Sequence, residues 1–175
     1  MTTYVALLRG INVGGRHRLA MADLRELCTD AGCEGVTTYI QSGNVVFRHR
    51  ARSPGKLAAD LAARLEAMTG FTVAVVLRTA TQMAAVVDDN PFPRVPPTEL
   101  HVTFLSSDAP PGALDGVDPA PFAPDRFVLH GRQIYLHLPH GMARTKLPQA
   151  LDVFPTPVTT RNWKTVLKLV ELSSG

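Results

Sequence analysis

The sequence predicts an α+β protein of two ferredoxin-like, βαββαβ-type subdomains, the second degenerate. Residues 1–78 read strand, helix, hairpin, helix, strand, with short β-branched or apolar runs alternating with helical spacing. The order of strands and hairpin recurs after residue 100, with a proline-rich stretch where the first helix would lie. A chain of 175 residues accommodates one ordinary domain or two compact halves, and 45% hydrophobic content suffices for packed cores without staples.

Each element has a local reason. Residues 4–9 are an apolar run ended by Gly10, which suits a buried strand. Residues 20–31 place Met21, Leu24, Leu27 and Cys28 at helical spacing, and Gly32 stops that helix. Residues 36–41 and 45–48 are β-branched and aromatic around the turn Ser42-Gly43-Asn44, hence a hairpin. Ser53 caps a second helix with Pro54 at its first position, and Leu57, Leu61, Leu65 and Met68 form its stripe until Gly70. A strand over 72–77 completes the plait, whose right-handed crossovers put both helices on one face of an antiparallel sheet.

A helix over 81–88 follows, and residues 90–97 are the expected linker, because Asn-Pro-Phe-Pro and Val-Pro-Pro exclude regular helix. The subdomains are thus set at 1–90 and 97–175. In the second, strands are expected over 100–106, 126–130 and 133–138, the last two joined by Gly131-Arg132. Five prolines between 109 and 124 leave room for one helical turn at most, around 113–117. A helix over 143–153, an extended 157–159 and a closing helix over 160–172 end the chain. Thr160 is the expected cap of that last helix, with Trp163, Val166, Leu167 and Val170 facing the core.

The net charge of +3 is uneven: residues 1–78 hold ten basic against six acidic side chains, 79–125 one against seven, and 126–175 seven against two. Basic ends favour anionic partners. No apolar run approaches the roughly 18 residues that span a bilayer, and residues 3–9 read as strand rather than leader, so a cytoplasmic protein without membrane contact is expected. Cys28 and Cys33 lack further ligands at zinc spacing and read as reduced thiols, with a redox pair as the alternative. His137 and His140 bracket Pro139 and the other histidines are scattered, so no metal and no cofactor is expected.

Three polar segments supply the candidate binding residues. Arg9, Asn12, Gly14, Gly15 and Arg16 lie between the first strand and first helix, where backbone N–H groups flanked by arginines could form an anion nest. The competing reading is a tight turn that Asn12 bonds internally. No Gly-Lys-Ser/Thr follows and the spacing is not GxGxxG, which excludes a Walker loop and a dinucleotide fingerprint. Gln41, Ser42 and Asn44 offer polar groups at the hairpin tip, although the turn needs Gly43 and Asn44 for its backbone alone. Ser42 sits between two strands and so is no nucleophile elbow. Arg161, Asn162 and Lys164, expected in the first turn of the closing helix, could hold an anion beside unbonded N–H groups, and residues 141–146 are similar in kind.

Leu8-Arg-Gly-Ile-Asn-Val-Gly-Gly15, Thr38-Tyr-Ile-Gln-Ser-Gly-Asn-Val45 and Thr160-Arg-Asn-Trp-Lys-Thr165 resemble, in order, the signatures of the bacterial Domain of Unknown Function 1697 family. The resemblance implies two α+β subdomains, the first ferredoxin-like, and brings no established activity. Thr145-Lys146-Leu147 stands where relatives usually have Ser-Lys-Leu, so a role for that hydroxyl would survive and a role for serine alone would not.

Tyr4 and Phe47 fall on the strands that carry base-stacking aromatics in RNA-recognition modules, but residues 42–49 lack the basic-Gly-aromatic-x-aromatic pattern. No acid–base pair or activated nucleophile is apparent, so no reaction is assigned. The expectation is binding of an anionic ligand, a nucleotide or nucleic-acid phosphate, by loops of both subdomains. Two alternatives stay open: an enzyme with a small-molecule pocket between the halves, and an interaction protein whose exposed sheet face is an oligomer contact. The sequence does not set the oligomeric state.

Overall fold

In the computed structural model, which describes residues 1–175, the chain runs β1 (Thr2–Arg9), α1 (Met21–Asp30), β2 (Glu34–Tyr39), β3 (Asn44–His49), α2 (Pro54–Thr69), β4 (Ala74–Thr79) and α3 (Ala80–Asp88). There follow β5 (Leu100–Leu105), β6 (Arg126–His130), β7 (Gln133–His137), α4 (Leu147–Ala150), β8 (Val158–Asn162) and α5 (Trp163–Ser173). The strands form two four-stranded antiparallel sheets, ordered β2-β3-β1-β4 and β6-β7-β5-β8. Both orders are those of the plait: the second hairpin strand pairs with the first strand, whose other edge takes the last strand. The chain divides into Met1–Ala85 with Lys168–Gly175, and Val86–Leu167.

In the first unit Tyr4, Ala6 and Leu8 of β1 share a core with Val45, Phe47, Val75 and Leu77, closed by Leu24 and Leu27 of α1 and Leu57, Leu61 and Leu65 of α2. Each fully buried side chain of this size contributes roughly 1.5–3 kcal/mol. Tyr4 and Phe47 lie within it, ring centroids 6.0 Å apart, and so offer no open stacking surface. Val5, Leu7, Val46 and Val76 on the opposite face are buried too. That burial explains why β1 reads as a continuous apolar run, while Thr37 and Arg48 towards the β2 edge of the same face stay exposed.

The helix ends follow the sequence. Ser53 Oγ accepts from Lys56 N at 3.4 Å, Pro54 opens α2, and Gly70 ends it. At the end of α1, Cys33 N–H donates to Cys28 O at 3.0 Å and Gly32 N–H to Thr29 O at 2.9 Å, the paired bonds of a Schellman motif. This motif is what brings Cys28 and Cys33 together as a buried apolar contact. β4 runs two residues later than the expected 72–77, because its pairing with β1 extends to Tyr4↔Thr79. Arg78 is thereby drawn into the strand and is only 2% exposed.

In the second unit Leu105, Ile134, Leu136, Leu138 and Val158 pack with Leu114, Leu147 and Leu151. The helical turn in the proline-rich stretch is at Ala120–Phe122, not around 113–117, where only isolated turn bonds occur. The helix expected over 143–153 is broken into a 3-10 turn at Met142–Arg144 and α4. Pro148 lacks an N–H and is tolerated only in a first turn, so α4 starts beside it. Residues 90–97 are not a detached linker: Phe92 is buried, 5.9 Å from the His137 ring, with the Arg126 guanidinium 4.9 Å over it.

The largest correction is at the chain's last elements. Residues 158–162 pair with β5 over five rungs, from Leu105↔Val158 to His101↔Asn162, and this ladder of β-branched residues displaces the first turn of the expected helix. α5 begins at Trp163, capped by Asn162 and not Thr160: Asn162 Oδ1 accepts from Thr165 N at 2.8 Å. The apolar stripe shifts accordingly, with Trp163, Val166 and Leu169 buried and Leu167 42% exposed.

Candidate functional site

Residues 10–19 leave β1 and fold back on themselves. Gly14 (φ 58°) and Gly15 (φ 73°) are consecutive left-handed residues, and Arg16 N–H donates to Val13 O at 3.0 Å, as in a type I′ turn. A nest needs residues of alternating hand, so the two glycines supply the tight turn rather than an anion cradle. Asn12 N–H donates to His17 O at 3.0 Å, and the His17 ring stacks on Phe71 with centroids 4.4 Å apart.

Asn12 is the staple of this region. Its Nδ2 donates to Leu19 O at 2.9 Å and to Gln41 O at 2.8 Å, while its Oδ1 accepts from Leu19 N at 2.9 Å. Both amide hydrogens are thus spent within the protein. Leu8 N–H also donates to Gly43 O at 2.8 Å. A Cβ on Gly43 would lie 2.7 Å from Leu8 Cβ and Ile11 Cδ1, so a glycine is required by close approach as well as by its φ of 82°. The structure therefore joins the first two polar segments in one assembly within the first unit.

At the hairpin tip, Asn44 is fully buried and its Nδ2 donates to Tyr39 O at 2.9 Å and Ser42 Oγ at 3.0 Å. Gln41 remains exposed. Around the staple lies a pocket of about 420 Å³ lined by Asn12, Gly15, Arg18, Leu19, Ala20 and Gln41. Arg16 is exposed on the same loop and Arg9 at the end of β1. Arg18 lies outside the Leu8–Gly15 motif, and no local sequence signal marks it, because its place on the pocket follows from the fold-back that Asn12 holds at Leu19.

The third segment behaves differently. Arg161 is a strand residue, 8% exposed, with Nη1 donating to Thr159 Oγ1 at 2.7 Å and to Thr160 O at 2.9 Å. Burial pushes its guanidinium down to about 10, which still leaves it charged at neutral pH. Asn162 is committed to the cap, and Lys164 is exposed on α5. A first-turn anion site of Arg161 and Asn162 is therefore not formed, because neither residue is in the helix.

No group of three His, Cys, Asp or Glu side chains is placed to hold a metal ion. Cys28 and Cys33 are free thiols, and the hydrogen bond between them, followed by burial, pushes Cys28 up, so it is protonated at neutral pH. Burial also pushes Tyr135 up to about 12, its hydroxyl donating to Val86 O at 2.7 Å. No helix is long and apolar enough to cross a membrane.

Fold and site together define a mixed α+β protein of two plait-like units with polar loop motifs. The family model described as "Protein of unknown function (DUF1697)" matches residues 1–135, and the chain belongs to that family. The third polar segment lies beyond the matched span. Among solved structures, a conserved bacterial protein from Streptococcus pneumoniae is similar over 100% of this chain and 99% of its own, with a TM-score of 0.77 at 23% identity. That likeness speaks to the fold. Comparison with curated proteins gives no match.

Proposed function

We propose that the first unit binds a small anionic ligand of the nucleotide or nucleic-acid phosphate class in the pocket over Asn12. The observation that carries this reading is the Asn12 bond to Gln41 O, which joins two sequence motifs around one pocket and places Arg18 and Gln41 on its wall. Arginine suits phosphate because its planar fork donates two parallel N–H groups, and Gln41 can both donate and accept. The wall carries no carboxylate, histidine or thiol, so it favours binding over proton transfer. Of the sequence candidates, Gly15, Arg16 and Gln41 belong to this reading, with Arg9 as a more distant charge. Asn12, Ser42 and Asn44 serve by shaping the site.

Titration with mononucleotides, and with short RNA and DNA at two salt concentrations, tests the proposal. Saturable binding of a mononucleotide that tolerates salt is expected, weakened about tenfold by Arg18→Ala. Binding only to polymers, with steep salt dependence, would shift the reading to a nucleic-acid surface. No binding of any probe at low salt would overturn it.

A further inference from the structure

A second concavity lies in the second unit, at the open end of the β6–β7 hairpin. The pairing Arg126↔His137 is the last rung of that hairpin, and the two chain segments leaving it diverge to form the walls. The rung is clamped. Arg126 Nη2 lies 3.0 Å from His137 Nδ1, and His137 Nε2 lies 2.7 Å from Glu99 Oε2, so Nδ1 accepts from the guanidinium and Nε2–H donates to the carboxylate. One wall comprises Phe122, Pro124 and Asp125, with Phe122 packed on the unit's core. The other is built by successive tight turns, Gly141 N–H to Leu138 O at 3.0 Å and Arg144 N–H to Gly141 O at 3.3 Å, followed by the Thr145 hydroxyl accepting from Leu147 N at 3.0 Å.

These turns set His140, Arg144 and Lys146 along one side of a pocket of about 500 Å³. None of the three side chains makes a hydrogen bond or ion pair within the protein, and all three are exposed. The contrast with Arg126, Arg132 and Arg161 in the same unit is direct, since each of those is committed to a protein acceptor. Two uncommitted cations, Arg144 and Lys146, with the His140 imidazole beside them on one wall, attract an anion. The volume falls in the range of small organic ligands, roughly 300–1,000 Å³, and exceeds what a lone inorganic ion fills. The rings of Phe122 and Pro124 give the body of such a ligand an apolar surface. Asp125, the only carboxylate in the lining, repels a second anionic group and accepts from hydroxyls.

We propose that this pocket binds a small phosphomonoester bearing hydroxyl groups, its phosphate on Arg144, Lys146 and His140 and its hydroxyls toward Asp125. The inference is independent of the pocket over Asn12, whose residues lie in the other unit.

Amide chemical-shift mapping of the full chain with ribose 5-phosphate, ribose and inorganic phosphate as probes tests it. Ribose 5-phosphate is expected to give saturable shifts confined to residues 120–126 and 139–147, with ribose giving none and inorganic phosphate binding about tenfold more weakly. The double variant R144A/K146A, both positions being exposed, is expected to keep the wild-type melting temperature and lose about tenfold or more in affinity. Asp125→Asn is expected to narrow the preference for ribose 5-phosphate over inorganic phosphate. An absence of shifts in those segments, or an affinity unchanged by R144A/K146A, would overturn the site. Equal affinity for inorganic phosphate and ribose 5-phosphate would overturn the ligand class.

Discussion

In the first unit Leu7 faces Asn44 across β1 and β3, and Val5 faces Val46 on one side and Arg78 on the other. In the second, Phe104 faces Gln133, and Val102 faces Tyr135 and Arg161. Each sheet thus carries a buried amide at the start of its third strand and a buried arginine in its fourth. Arg78 and Arg161 even make the same bond, Nη1 donating at 2.9 Å to the carbonyl of the preceding residue. Leu8 N–H bonds Gly43 O, and in the matching place Leu105 N–H bonds Arg132 O. The units part at the segment after the first strand, which in one folds back over the hairpin through Ile11 and Asn12, and in the other enters the proline-rich stretch. Polar residues repeated in both sheets serve the fold; those confined to one unit's loops are where a ligand-binding role is to be sought.

The sharpest way to break this comparison is at the paired turns. Gly43→Ala places a Cβ into Leu8 and Ile11 in a left-handed residue and is expected to cost about 3–4 kcal/mol by denaturant titration. Gly131→Ala (φ 60°) meets nothing nearer than Gln133 Nε2 at 3.9 Å and should cost about 1–2 kcal/mol. Equal losses would mean that the loop does not pack on the hairpin as described. Next come the two arginines. Arg78→Met and Arg161→Met each remove charged hydrogen bonds to buried carbonyl groups, and each is expected to destabilise by about 2–3 kcal/mol. Costs differing by more than about 2 kcal/mol would argue against a shared role.

Asn12→Ala removes three hydrogen bonds at a part-buried site and is expected to cost about 2 kcal/mol while abolishing binding in the pocket it lines. Retained affinity would separate the staple from the site. The smallest effect concerns His101 of β5, which burial holds below its usual 6.5. The unfolded chain takes up the proton first, so stability is full above about 6.5 and declines as pH falls below that value towards the folded pKa. His101→Gln should flatten that decline, as read from unfolding midpoints between neutral and mildly acidic pH.

The order of elements in the first unit was legible because its punctuation is local: Ser53-Pro54 opens α2, Gly32 and Gly70 end helices, and a polar turn splits β2 from β3. Of the strand 158–162 only the start was, as the extended 157–159, since Thr160 to Asn162 read equally as helix entry, and only pairing with β5, more than fifty residues away, decides the state. The same non-local cause hid Arg78, whose neighbours in sequence look like a strand's end. At the site, motif residues Asn12 and Gln41 were legible as polar groups but not as partners, because their contact spans 29 residues. Arg18 was passed over because nothing local marks an exposed arginine that acquires a pocket only when the loop folds back.

Amide mapping with adenosine 5′-monophosphate tests the central claim most directly. The account predicts saturable shifts at Gly15, Arg18 and Gln41, with the affinity reduced about tenfold in Arg18→Ala and no change in melting temperature. Unmoved resonances at these three residues, or shifts that survive Arg18→Ala at full affinity, would contradict it.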